Sequence, residues 1–240
     1  AIKKDKIYVI EVNPRASRTV PFVSKAKGLP LAKIASRVMA GEKLSKFNLK
    51  EKFKGMYAVK EAVFPFNKFP NSDLLLGPEM KSTGEVMGID DTFLSSYIKS
   101  QIACGNILPS KGNVFVSIDD DNKESIINTA KKLVKMKFNI IATKGTAEYL
   151  NKNNINAQQI NKVKEGSPHI VDSLISNKID LVINTTKSQS SIKDSYSIRR
   201  TSLMYNIPYY TTIAGAKIAV DAIEHMENND FKIKSLQTIN

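Results

Sequence analysis

The sequence predicts an α/β protein whose second half is a five-stranded, doubly wound parallel sheet. Three observations carry that expectation. From residue 113 to residue 226 short apolar runs alternate with helix-period stretches, the rhythm of βαβ units around a parallel sheet. The apolar and charged fractions, 42% and 25%, are those of ordinary globular chains. No apolar run approaches the roughly 20 residues needed to cross a membrane as a helix, so no membrane association is expected. At 240 residues there is room for one large domain or two modest ones. A Gly105-Asn106 break with Pro109 beyond it places the boundary there, giving domains 1–105 and 106–240.

In the first half, an apolar strand over residues 6–12 leads into a polar cluster. Residues 21–40 then read as helix. Pro30 suits a first turn, Leu31, Ile34, Ala35 and Val38 recur at helical spacing, and Gly41 supplies the stop. Residues 42–56 are lysine-rich and irregular. Residues 57–64 alternate as a strand that Pro65 ends, and residues 67–85, dense in Pro, Gly, Asn and Ser, read as a long loop. A helix follows over 90–103, with Asp90 or Asp91 as its N-cap.

In the second half, strands are expected at 113–118, 138–142, 155–160, 180–183 and 209–212. Helices alternate with them at 123–135, 146–151, 168–177, 194–205 and 214–226. Ligands of such sheets bind at the carboxyl ends of the strands.

The formal charge is +13, which raises nucleic acid as a partner. The lysines are scattered over helix faces and no basic run is interleaved with aromatics, so a nucleic-acid surface is not expected. Arginines are only five, Arg15, Arg18, Arg37, Arg199 and Arg200, and each is a candidate for a place that needs a planar forked donor. Cys104 is the single cysteine, which excludes an internal disulfide and a thiolate cage and fits a reducing cytoplasm. It reads as a small apolar residue on a helix. The N-terminal residues lack the pattern of a secretory signal. His169 suits a capping or packing role at a helix start, and His225 reads as exposed.

Residues 11–20, Glu-Val-Asn-Pro-Arg-Ala-Ser-Arg-Thr-Val, concentrate polar chemistry. Glu11 and Asn13 lie two apart at a strand end and project to one side, an oxygen pair suited to Mg²⁺. Arg15 and Arg18 offer forked donors to a phosphoryl group in transfer. By spacing alone, a strand, an Asx-type turn and two surface arginines account for the same residues.

The wording of that segment goes further. Residues 11–26, then Gly28-Leu29-Pro30-Leu31-Ala32 and Arg37-Val38-Met39-Ala40-Gly41, closely resemble the carbamoyl phosphate synthetase large-subunit family at the close of its second ATP-grasp unit. Residues 59–70 and 76–88 continue the likeness, which runs over essentially the whole chain. The resemblance implies that Glu11 and Asn13 bind Mg²⁺ or Mn²⁺ at the ATP that phosphorylates carbamate, and that Arg15 and Arg18 neutralise the transferring group. That family makes carbamoyl phosphate for pyrimidine and arginine biosynthesis from bicarbonate, two ATP and ammonia supplied by a small glutaminase subunit. On this reading residues 1–105 are the incomplete C-terminal portion of an ATP-grasp unit. The lobes that grip the nucleotide lie upstream, so the chain alone is expected not to make carbamoyl phosphate.

The same resemblance makes the rear domain an allosteric domain of methylglyoxal-synthase-like fold, and elementary chemistry supports a pocket there. Thr143-Lys144-Gly145-Thr146 falls between a strand and a helix, where hydroxyls and first-turn N–H groups seat phosphate. Asn184-Thr185-Thr186, Lys123 and Lys162 share that rim. Taken one at a time, each Thr is equally an N-cap and each Lys a solvated tip. By matched position the resemblance assigns the effector pocket to Lys123, Thr143, Thr146, Lys162, Asn184, Thr186, Ser195 and Ile198, for UMP or IMP. It assigns a second effector, ornithine, to Glu61 and Thr211. Lys144, Ser197 and the stretch Ile213-Ala214-Gly215-Ala216 depart from the pattern. Two other functions are weighed. A free-standing nucleotide-binding module would share the pocket. A methylglyoxal-forming lyase would need a carboxylate base near the phosphate, where Asn184-Thr185-Thr186 offers none and Asp180 stands at the wrong strand end. A homo-oligomer is compatible with the sequence.

Overall fold

The structure, a computed structural model, describes residues 1–12, 17–50, 55–64, 66, 75, 82, 84–186, 189–230, 232–233 and 235. Compact units separate between Gly55 and Met56.

In the first unit, β1 (Ile2–Lys3) and β2 (Lys6–Ile7) form a two-residue antiparallel ladder. The strand expected over 6–12 is thus cut to its first two residues. After the Tyr8 N–H donates to the Ala1 carbonyl at 2.8 Å the ladder has no further partner among the described residues, and Val9, Ile10 and Val12 are exposed. The single helix expected over 21–40 is two, α1 (Thr19–Lys27) and α2 (Leu31–Met39). Gly28 closes α1 in the left-handed region at φ 66°, a conformation that glycine adopts without a Cβ penalty. Pro30, which has no N–H to continue a helix, then stands at the N-cap of α2. The Ser24 hydroxyl donates to the Leu29 carbonyl and braces the break.

In the second unit, β3 (Tyr57–Val63) pairs antiparallel with β4 (Gly84–Asp90) along all seven residues, Tyr57 opposite Asp90. The sequence reading made residues before 86 loop and began a helix at Asp90. Instead the strand runs through Asp90, and α3 (Phe93–Ala103) is capped by Thr92, whose side chain accepts from the Ser95 N–H at 3.2 Å. Glycines hide this strand: a Cβ at Gly88 would collide with the Ser96 carbonyl oxygen of α3 and stand 2.6 Å from the Ser100 nitrogen. The Ser96 hydroxyl donates to the Tyr57 carbonyl at 2.9 Å, so helix and hairpin are locked together.

The expected sheet is present. It comprises β5 (Asn113–Ser117), β6 (Asn139–Thr143), β7 (Ala157–Ile160), β8 (Leu181–Asn184) and β9 (Tyr209–Tyr210). All neighbours are parallel, in the order β7-β6-β5-β8-β9. Helices α4 (Lys123–Lys135), α5 (Lys144–Lys152), α6 (Ile170–Ile175), α7 (Gln189–Asp194), α8 (Tyr196–Met204) and α9 (Ile213–Asn228) complete it. The helix expected over 194–205 is α8, and α7, which ends at Asp194 just before it, is a further helix that the sequence reading does not include.

Alternation along the strands divides the core, since successive side chains face opposite sides. Val114, Val116, Ile140, Ala142, Leu181 and Ile183 pack on one face with Leu133 of α4, Leu150 of α5 and Ile223 of α9. Phe115 and Val182 pack on the other with Ile170 and Leu174 of α6 and Ile198 of α8. Ile98 of α3 joins the first layer. Strands after β5 are added first on one side and then, from β8, on the other, so the carboxyl ends of β5 and β8 form the switch point where open α/β sheets bind ligands. Among the described residues no helix is long and apolar enough to cross a membrane.

Candidate functional site

A cavity of about 320 Å³ opens at the carboxyl ends of the strands. Its residues are delivered by the turns that follow β5, β6, β7 and β8. Parallel pairing sets Val116 beside Ala142, and the next residues, Ser117 and Thr143, therefore meet. The Thr143 hydroxyl donates to Ser117 Oγ at 3.2 Å. Thr143 occupies the N-cap position of α5, yet its side chain caps no backbone N–H of that helix; its oxygen lies between Ser117 across the strands and Thr146 Oγ1, 3.5 Å away. Thr146 is 2% exposed, and its hydroxyl accepts from the Ile118 N–H at 3.1 Å. It ties the first turn of α5 to the exit of β5. The first-turn N–H groups of α5 have no acceptor within the helix, and Gly145 carries no Cβ over them.

Two lysines line the same cavity. Lys123 opens α4, with Nζ 2.6 Å from Asp120 Oδ1 and 5.9 Å from the centre of the Tyr149 ring. Lys162 follows β7 at the head of a short 3-10 turn whose Glu165 carboxylate accepts from its backbone N–H at 2.8 Å. Ser191 of α7 completes the lining. A larger cleft, about 800 Å³, lies elsewhere and is lined by carboxamides such as Asn113, Asn139, Gln158 and Asn161 together with apolar residues and Lys137 and Lys178. Of these two, the smaller combines cations, hydroxyls, a helix N-terminus and the switch point.

Of the eight residues expected in the pocket, Lys123, Thr143, Thr146 and Lys162 line this cavity together. Asn184 ends β8, is 2% exposed, and its amide donates to the Tyr209 hydroxyl at 2.8 Å. Thr186 follows it, half-buried. Ser195 stands at the N-cap of α8, and Ile198 belongs to the core layer beneath Phe115 and Val182. Sequence reasoning missed Ser117, Asp119, Asp120 and Ser191. The acidic run Asp119-Asp120-Asp121, separated from Lys123 only by Asn122, was the available signal. Asp119 fixes the turn after β5: its carboxylate accepts from the Thr185 hydroxyl at 2.6 Å and from the Asn122 amide at 2.8 and 2.9 Å.

Glu61 of β3 is half-buried and accepts from the Gln101 amide at 3.1 Å. The Gln101 oxygen accepts from Asn106 at 2.6 Å, and that amide also donates to the Tyr210 hydroxyl at 3.4 Å. Glu61 is thereby linked to Tyr210, the residue before Thr211. Burial raises the Glu61 carboxyl above its ordinary range, opposed by the Gln101 bond. Burial, then the neighbouring Tyr97, raises the Tyr210 phenol strongly.

In the front motif Glu11 is exposed and Arg18 stands at the N-cap of α1 without capping it. Asn13 and Arg15 lie outside the described residues. Among the described residues no group of three or more His, Cys, Asp or Glu could hold a metal ion, so the fit of Mg²⁺ or Mn²⁺ is not given by geometry. Elsewhere the arginines have structural partners. Arg37 makes a forked pair with Glu42 at 2.5 and 2.7 Å, and buried Arg199 donates to the Ile192 carbonyl at 2.9 Å. His169 caps α6 reciprocally with Asp172. His225, expected exposed, is half-buried with Nε2 2.9 Å from Ser95 Oγ, because α9 packs against α3.

Residues 125–211, which hold four of the five strands of the sheet, match the model described as MGS-like domain, and residues 1–47 match the one described as carbamoyl-phosphate synthase L chain, ATP binding domain. Over almost its whole length the chain is similar to carbamoyl phosphate synthase large chains. It is 49% identical to that of Myxococcus xanthus over 99% of this chain and 22% of the relative. It is 49% identical to that of Acidobacterium capsulatum over 100% and 22%, and 48% identical to that of Methanobrevibacter smithii over 98% and 22%. The chain therefore spans about a fifth of the length of these relatives.

Proposed function

We propose that this chain is the part of a glutamine-dependent carbamoyl phosphate synthase large subunit that carries effector binding together with a share of the ATP site for carbamate phosphorylation. In this reading residues 1–105 close the ATP-grasp unit and residues 106–240 are the allosteric domain. The observation that carries it is the convergence of Lys123, Lys162 and Thr143 at the N-terminus of α5 in one cavity. Such a seat recognises a dianionic phosphate: two ammonium groups balance its charge, and hydroxyls and backbone N–H groups fill its oxygens. A volume of about 320 Å³ is at the small end of ligand pockets, room for a phosphate and sugar with the base toward solvent. UMP and IMP are the ligands proposed.

The remaining assignments rest on the resemblance. Mg²⁺ or Mn²⁺ would be held by Glu11 and Asn13, where it would offset charge on ATP, and Arg15 and Arg18 would contact the transferring group. Ammonia would come from a small glutaminase subunit, ornithine would bind near Glu61 and Thr211, and the setting would be cytoplasmic pyrimidine and arginine synthesis, in a homo-oligomer. Calorimetric titration of the chain with UMP, IMP and ornithine tests the effector assignment. Removing the Lys123 ammonium or the Thr143 hydroxyl, by Lys123→Ala and Thr143→Ala, is expected to weaken nucleotide binding by about tenfold, the worth of one charge-assisted hydrogen bond. Binding that both variants leave unchanged would remove the pocket from the reading.

One observation favours a lyase as a second reading, since Asp119 supplies a carboxylate to the cavity. Its oxygens are already engaged by Thr185 and Asn122, which leaves it poorly placed as a base. Conversion of dihydroxyacetone phosphate by the chain would reverse that judgement.

A further inference from the structure

Resting on the anion pocket just proposed, we infer that Asp120 is an internal competitor for the anion: its carboxylate holds the Lys123 ammonium in the place an incoming phosphate must take, and so sets the affinity of the site. The pair is 2.6 Å apart, and its two halves are unequally held. The Lys123 side chain is 19% exposed and the Asp120 side chain 91%. Lys123 is confined by its own surroundings. Its Nζ lies over the Tyr149 ring, and a Cβ built on Gly145 would come within 3.5 Å of it. Asp120 belongs to the 3-10 turn after β5 and is in contact with water on almost every side. The backbone beneath it is pinned by Asp119, whose N–H donates to the Thr185 hydroxyl at 3.1 Å.

Exchange of partners is therefore one-sided. When a phosphate arrives, the ammonium is already in position and the carboxylate swings into solvent by side-chain rotation, with no change in the strand ends. A released carboxylate is well solvated, whereas a released ammonium under Tyr149 would be half-desolvated. Competition of this kind weakens the site by the strength of the pair plus the repulsion between Asp120 and a bound dianion. It also discriminates by charge. A dianionic phosphate displaces the carboxylate more readily than a monoanion, because two negative charges compete against one for the same ammonium.

The test titrates the full 240-residue chain with UMP and with inorganic phosphate, comparing Asp120→Asn with Asp121→Asn and Lys123→Ala. Asp121 carries the same charge one residue on and does not line the cavity, so it controls for net charge. Asp120→Asn is expected to tighten both ligands by about 3- to 10-fold, the range of an exposed pair plus the lost repulsion. Asp121→Asn is expected to change them less than about twofold. In the double variant Asp120→Asn with Lys123→Ala, the part of the gain that comes from the pair should vanish, leaving only the smaller part due to relieved repulsion, so the gain over Lys123→Ala alone is expected to be smaller than that of Asp120→Asn alone. Equal gains in Asp120→Asn and Asp121→Asn, or no gain in Asp120→Asn while Lys123→Ala still weakens binding, overturn the inference and leave the pocket standing. Failure of the unsubstituted chain and of Asp120→Asn alike to bind either ligand overturns the pocket itself.

Discussion

Thr143 shares its chemistry with any N-cap threonine, but its oxygen bonds Ser117 across the strand ends and leaves α5 without a side-chain cap. Its neighbour Thr146 has the same side chain and the opposite duty, since it is buried and bonded to the Ile118 backbone. Thr146→Val is therefore expected to destabilise the fold by about 1–3 kcal/mol through an unpaired buried N–H, whereas Thr143→Val should spare stability and weaken anion binding. Chemical unfolding and calorimetry on both variants separate the two roles. Glu61 makes a pH-dependent prediction. Its folded-state carboxyl is raised by burial, so the native state holds that proton more tightly than the unfolded chain. Its contribution to stability is full below the unfolded value of about 4.3 and declines as pH rises through the folded value. Glu61→Gln should remove that decline, so its thermal midpoint relative to the unsubstituted chain rises between about pH 4 and pH 7. A constant offset across the series would contradict the burial argument.

At the scale of elements, the β4–α3 junction shows where the pattern in the sequence fails. Gly84 and Gly88 remove the alternation by which a strand is recognised, and the seven-residue ladder with β3 is invisible until its partner is in place. Gly88 is glycine because α3 crosses it at backbone contact. Gly88→Ala must push helix and hairpin apart and is expected to destabilise the second unit by about 3 kcal/mol, the upper range for overpacking, read from urea unfolding. Thr92→Ala removes the side-chain acceptor that caps α3 and should cost about 1 kcal/mol. The break of residues 19–39 into α1 and α2 was, by contrast, readable: Gly28 and Pro30 stand two apart, and a left-handed cap followed by an imide nitrogen ends one helix and starts another.

Across the whole molecule, α4 and α9 are joined by Lys132, which bonds Asp221 at 2.6 Å and Glu224 at 2.7 Å. These residues lie about 90 positions apart in sequence, and nothing local announces the pairing. Should the rear pocket regulate ATP use in a complete synthase, linkage demands that nucleotide at the catalytic site and UMP at the pocket alter each other's binding by the same factor. Paired titrations on a full-length relative would expose any asymmetry. The alternation of apolar runs with helical stretches determined the parallel sheet by itself, because burial on two faces requires that periodicity whatever the surroundings. The strand, turn and helix start that bring Thr143 and Thr146 to the rim were likewise legible, since those elements are local. Which oxygens meet was decided only in three dimensions. Ser117 and Thr143 adjoin by strand pairing, Asp119 reaches Thr185 across the switch point, and Asn184 turns to Tyr209. Each depends on register between segments distant in sequence, and register is set by the packing of the whole sheet rather than by any residue in it.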